Sequence, residues 1–165
     1  MELYFIRHAI AVDRMDPSLK SDAERWLTDE GIQKMERAAR GFKRMLPELD
    51  IIFSSPYIRA RQTADIVADV FDSKPIIEEI DCLAPGADYE VLLEIIQNNP
   101  QYSRMAFTGH EPDFSHMISM LVTGAGLSDI EMKKGAICRV DVYGQPARGS
   151  GILVWLLPPK ALRKM

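Results

Sequence analysis

The sequence has 165 residues, 47% of them hydrophobic and 27% charged, with a formal net charge of −4 and a pI near 5.4. This length fits one domain, residues 1–165, with a core of its own, and the composition is that of an ordinary soluble globular protein. The acidic balance excludes a general nucleic-acid binder, so any anion site must be a local cluster of arginines on an acidic body.

Cys82 and Cys138 show neither CxxC nor metal-ligand spacing and suit a reduced interior rather than a disulfide scaffold. Arg7 and His8 interrupt the only apolar N-terminal run, which argues against a signal peptide. The longest later apolar run, 152–157, is too short to span a bilayer. A cytoplasmic protein with no membrane partner is expected.

Leu3, Tyr4, Phe5 and Ile6 are a short apolar run rich in β-formers and read as a buried strand ending in Arg7, His8 and Ala9. Open α/β sheets bind ligands just beyond the carboxyl ends of their strands, where a guanidinium and an imidazole could serve an anionic substrate. Residues 13–24 form a polar loop carrying Arg14 and Asp16. Thr28 predicts an N-cap, and Asp29 and Glu30 suit the start of the helix that follows. Ile32, Met35, Ala39, Phe42 and Leu46 share one face of it, a core stripe, and Pro47 closes it.

Ile51, Ile52 and Phe53 read as a second strand, ending in Ser54-Ser55-Pro56, a serine cap and proline that signal a helix start. Ala60, Ala64, Val67, Ala68 and Phe71 stripe that helix. Arg59 lies in its first turn, where unpaired N–H groups and the dipole favour an anion. Arg61 points elsewhere and reads as a surface charge. Residues 75–77 are extended and lead into a loop marked by Pro85-Gly86, and Asp88 predicts the cap of a helix ended by Asn98, Asn99 and Pro100. Residues 104–108 read as a third core strand that delivers Gly109, His110 and Glu111 to a further helix starting near Pro112. Residues 136–142 and 152–157 pair as a hairpin, Pro158-Pro159 ends the fold, and 160–165 is a tail. The alternation predicts a three-layer α/β/α sandwich with a largely parallel central sheet and an antiparallel end.

In such a sheet Arg7 and His8, Arg59, and His110 gather at one edge, with two helix N-termini. Arginine forks and helix N–H groups together fit a phosphoryl group.

These stretches resemble the histidine phosphatase superfamily, with its phosphoglycerate mutase-like fold, and within it the short SixA-type phosphohistidine phosphatases. The likeness runs through residues 3–9, Leu27-Thr28-Asp29-Glu30-Gly31, residues 55–64, residues 83–88 and Thr108-Gly109-His110-Glu111-Pro112. It implies that His8 attacks phosphorus and becomes phosphorylated, that Arg7, Arg59 and His110 clamp the equatorial oxygens, and that water then hydrolyses phospho-His8. Its attacking nitrogen must be unprotonated, and neighbouring arginines disfavour imidazolium. Because the arginines supply the positive field, no metal or other cofactor is called for. The implied partner is a phosphohistidine-bearing phosphorelay or phosphocarrier protein.

The chain departs from the wider family in two places. Ala9 stands where most members have the glycine of the RHG motif, which matters only if the position needs positive φ. Pro85 stands where mutase-like members place a glutamate acid, a loss that SixA-type members share. An alkoxide leaving group has a conjugate acid near pKa ~15–16 and needs protonation, whereas imidazole, at about 6.5, departs from phosphohistidine readily. A site without a strong acid therefore favours P–N substrates.

Glu111 is the best remaining acid, since other branches place one there; its other reading is a charge at the helix start. Asp13, Asp16, Asp81 and Asp88 are weaker candidates for that role. Arg14 falls where mutase-like relatives hold an asparagine near the phosphate and reads either as a substrate contact or as a loop charge. His116 reads as a surface or packed histidine, and Pro112 and Phe114 break any HExxH zinc pattern. The alternatives are a small-molecule phosphomonoesterase and, in another class, a non-catalytic phosphate-binding module. A pure binder has no use for a neutral nucleophile, which argues against the last.

Overall fold

The computed structural model describes residues 1–126 and 130–165. Strands β1 (Glu2–Arg7), β2 (Ile51–Ser54), β3 (Ile76–Glu79), β4 (Arg104–Gly109), β5 (Ile137–Val142) and β6 (Gly151–Leu157) form one sheet in the order β3-β2-β4-β1-β5-β6. The first four are mutually parallel, while β5 runs antiparallel to both β1 and β6. The helices are α1 (Asp29–Met45), α2 (Ile58–Asp69), α3 (Tyr89–Gln97), α4 (Asp113–Thr123) and the short α5 (Pro159–Leu162). This is the expected three-layer sandwich with its antiparallel end. No helix among the described residues is long and apolar enough to cross a membrane, and both cysteines are free.

Strand alternation assigns the layers. Leu3, Phe5, Phe53 and Phe107 face α3 and α4, whereas Tyr4, Ile6, Ile52 and Ala106 face α1, α2 and α5. Both faces of β1, β2 and β4 are covered, so their interiors are buried and mostly apolar, while the edge strand β3 is largely exposed and ends in Glu78 and Glu79.

A cross-strand ladder sets the register. Phe5 pairs with Phe107, which pairs with Phe53, and the stacked ring centroids lie 5.3 and 5.6 Å apart. Phe114 of α4 packs edge-on against Phe5 at 5.4 Å. Because His8 and His110 each follow their ladder phenylalanine by three residues, the register sets them level. The ladder also continues past the strands, through His8 N–H to the Gly109 carbonyl at 3.0 Å and Ser55 N–H to that of Thr108 at 2.9 Å.

Thr28 caps α1 by accepting from Gly31 N–H at 3.0 Å, and Asp88 caps α3 by accepting from Glu90 N–H at 2.9 Å, both as expected. A side chain at Gly31 would collide with the Ile10 carbonyl, so glycine lets α1 start against the loop that leaves the site.

Two expectations are corrected. α2 begins at Ile58 with Tyr57 in the cap position and no side-chain cap bond, so the serines do not cap it. Ser55 Oγ is instead engaged with His110 Nε2 at 2.9 Å. Nor is the C-terminus a free tail. Residues 159–162 form α5, and Leu162, fully buried, packs against α1 where Gly41 leaves room for its carbonyl.

Candidate active site

The carboxyl ends of β1, β2 and β4 open into a cleft of about 300 Å³. Arg7, His8, Arg59, His110, Glu111 and Arg14, the leading candidates from the sequence, all line it, whereas the weaker acid candidates Asp16, Asp81 and Asp88 do not. Asp13 and Pro85 line it too. Asp16 does not; it is bound to Ser18 in the exposed loop, and Asp88 is spent on its helix cap. His116 is exposed, and Arg61 pairs with Asp65 and Glu79 at 3.0 and 2.8 Å.

His8 is 6% exposed. Its Nδ1 lies 2.7 Å from the Ala9 carbonyl, which can only accept, so Nδ1 carries the proton and Nε2 keeps its lone pair. Arg59 Nε donates to that Nε2 at 3.3 Å. Burial above all, then His110, Arg59 and Arg7, push the His8 pKa down to about 3, against an opposing pull from the Ala9 carbonyl. The ring is therefore neutral at physiological pH. Ala9 N–H donates to Thr63 Oγ1 at 3.1 Å, and Ala9 is not among the positive-φ residues, so the site backbone accepts alanine without strain.

His110, 3% exposed, is built similarly. Arg59 Nη2 donates to its Nδ1 at 3.3 Å, which leaves Nε2–H to donate to Ser55 Oγ. Burial, then Arg59, lower its pKa to about 3. Arg59 thus bridges both imidazoles from the first turn of α2, with its guanidinium 4.9 Å from the Tyr57 ring centroid. Arg7 reaches across to donate from Nη1 to the Met132 carbonyl at 2.5 Å, while its buried Nε has no partner among the described residues.

Sequence reasoning passed over Asp22, Arg25 and Lys134 here. Asp22 and Arg25 belong to a 3₁₀ turn, Asp22–Glu24 with its C-cap, at the end of the polar loop. Asp22 accepts from Arg59 Nη2 at 2.8 Å and pairs with Arg25 at 3.0 Å and Arg14 at 3.2 Å. Burial works to raise its pKa, but the bonds from Arg25 and Arg59 outweigh this and hold it below the usual carboxylate range. Arg25 is 8% exposed and also donates to the Val12 carbonyl at 2.9 Å. The available signal was an Asp-x-x-Arg pair just ahead of Leu27-Thr28, but in a loop without periodicity it could not be told from solvated charge.

Glu111 differs from Asp22. Burial raises its pKa, against the Ser115 hydroxyl bond and Arg7, and its Oε1 is buried without a partner among the described residues. It does not cap α4, whose cap position is Pro112. A half-buried carboxyl whose pKa is raised by burial, beside Arg7, is better placed to exchange a proton than Asp22.

The arrangement can hold an oxyanion between arginines with an unprotonated imidazole nitrogen facing it. Comparisons with known proteins agree. The family model of the histidine phosphatase superfamily (branch 1) matches residues 3–83. An uncharacterized protein of Picosynechococcus sp. is 30% identical over 139 residues, spanning 83% of this chain and 82% of the relative. The structure of the protein histidine phosphatase SixA complexed with tungstate superposes with a TM-score of 0.86 at 24% identity, covering 98% of this chain and 99% of that one. A phosphoserine phosphatase of Entamoeba histolytica in complex with 3-phosphoglyceric acid gives a TM-score of 0.70 at 15% identity, covering 98% of each chain.

Proposed function

Since the chain belongs to the histidine phosphatase superfamily and is thereby a phosphatase, we propose that it hydrolyses phosphohistidine on a phosphorelay or phosphocarrier protein, with His8 as nucleophile. The observation that carries this is the acid inventory of the cleft. Pro85 occupies the place of the mutase-like acid, Asp22 is held ionised, and Asp13 is exposed and accepts from Met15 N–H, which leaves Glu111 as the best-placed proton donor of the cleft. Such a site suits a leaving group that departs without strong acid catalysis, and imidazole is one.

In the reaction, His8 Nε2 attacks phosphorus as the substrate's P–N bond breaks; the bonding pair stays on the substrate nitrogen, and the substrate ring leaves as neutral imidazole because its other nitrogen carries a proton taken from solvent or Glu111. Nδ1–H stays on the Ala9 carbonyl and fixes the ring as charge develops. Arg7 and Arg59 take the equatorial oxygens, His110 joins them by turning its single N–H from Ser55 Oγ to oxygen, and Arg25 adds a further cation. To reach the phosphate, Arg59 exchanges its bonds to His8 and His110 for bonds to oxygen. Water then attacks phospho-His8; the new P–O bond forms, the P–Nε2 bond breaks, and the water's proton leaves with inorganic phosphate or through Glu111. No step uses a metal ion.

Glu111 also favours a second reading, a small-molecule phosphomonoesterase, because a burial-raised carboxyl can protonate an alkoxide. Metal-free turnover of a phosphohistidine protein and of a phosphomonoester separates the two. We expect kcat/KM at least about tenfold higher on the P–N substrate, and loss of turnover by at least about a thousandfold in His8→Ala, which keeps its arginines and still binds phosphate. Preference for the ester would select the second reading. Unchanged turnover by His8→Ala would end the nucleophile assignment.

A further inference from the structure

Next to the cleft lies a second pocket, of about 200 Å³. Its walls are apolar, from Ile10, Met35 and Pro159, and its charged groups are all cations: Lys34, Lys134 and Arg163. Lys134 lines both the pocket and the cleft, and Ala9 carries the backbone from the nucleophile into the pocket wall.

The nucleophile's own backbone fixes the position of Lys134. Gly135, at φ +77°, donates its N–H to the carbonyls of both Arg7 and His8 at 3.1 Å, so Lys134 is anchored over the end of β1. Arg163 is held from the other side by α5, through the buried Leu162. Lys34 is paired with Glu30. Neither Lys134 nor Arg163 forms a salt bridge among the described residues, although Asp13 of the cleft acts on Lys134 through space, whereas Arg61, Arg104, Arg139 and Arg148 each hold a carboxylate.

On an acidic protein, an apolar hollow bordered by Arg163 and by Lys134, which it shares with the cleft, complements an anion carried on an apolar arm. The walls would cover the arm and exclude water, and the charges would attract one another more strongly there than in open solvent. The hollow has room for a side chain but not for a helix.

We propose that this pocket receives an acidic side chain of the phosphoprotein substrate, close to its phosphohistidine, while the phosphoryl group occupies the cleft. The proposal rests on the phosphohistidine reading above and names what the protein substrate must carry beside its phosphate.

The test compares two histidine-phosphorylated peptides that differ only in carrying Glu and Asp, or Gln and Asn, around the phosphohistidine. Wild type should prefer the acidic peptide by about tenfold in kcat/KM, mainly through KM. Arg163→Glu should erase that preference and Arg163→Lys restore it. Lys34→Glu repeats the charge reversal from the opposite wall, so a folding defect in one variant does not decide the result. Equal use of both peptides by wild type, or a preference that survives both reversals, overturns the pocket while leaving the phosphohistidine reading intact. Hydrolysis of neither peptide, with a phosphomonoester still turned over, overturns both.

Discussion

A histidine that is to attack phosphorus must be unprotonated, and His8 meets this through burial more than through its arginine neighbours. From an ordinary pKa of about 6.5, His8 is pushed down to about 3. The kcat/KM profile on a phosphohistidine substrate should therefore show no His8 limb between pH 5 and 8, the fall coming only below about pH 4. A histidine of ordinary pKa, about 6.5, would instead lose activity across pH 5–8 as it protonated. A limb at pH 6–7 that persists in Glu111→Gln would show His8 to be solvated. The same depression links pH to stability. The folded protein keeps His8 and His110 neutral while the unfolded chain protonates them near pH 6.5, so stability present above that pH is lost as pH falls toward 3. The urea midpoint should accordingly be lower at pH 4.5 than at pH 7.

The strands do the positioning. The Phe53–Phe107–Phe5 ladder locks three strands in register, so residues far apart in the chain emerge level at one edge. Pairing in this sheet is specified by burial on both faces, because a one-residue slip would exchange the two apolar sets between layers. α5 shows the opposite case. Its single turn was invisible to periodicity, yet Leu162 is fully buried against α1. Leu162→Ala should cost about 2–5 kcal/mol of stability, measured by urea unfolding. A cost below about 1 kcal/mol would mean that the C-terminus is the dispensable tail its composition resembles.

The molecule carries a net charge of −4, yet its cleft gathers Arg7, Arg14, Arg25, Arg59 and Lys134 against Asp13, Asp22 and Glu111. Clustering basic groups inside an acidic body draws anions to one place without making the whole surface adhesive. An oxyanion bound there stabilises the folded state by mass action, by about 2.7 kcal/mol when present at a hundred times its Kd. Inorganic phosphate or tungstate should thus raise the wild-type Tm, and Arg59→Ala should lose most of that rise. An unaltered wild-type Tm across millimolar phosphate would count against an anion site in this cleft.

Apolar runs of strand length, helical stripes and capping residues already determined the layers of this protein and the edge at which Arg7, His8, Arg59 and His110 meet. Those signals are local, and a parallel sheet converts them into position by collecting its strand ends. Only the tertiary structure decided the partners of those groups: Asp22 and Arg25 from an aperiodic loop, Ser55 on His110 rather than on a helix cap, and Lys134 tethered over β1 through Gly135. It also decided the protonation states, because desolvation depends on what the whole chain packs around a side chain. His8 and Asp22 share one cleft, and burial with its particular hydrogen bonds leaves the first neutral and the second charged.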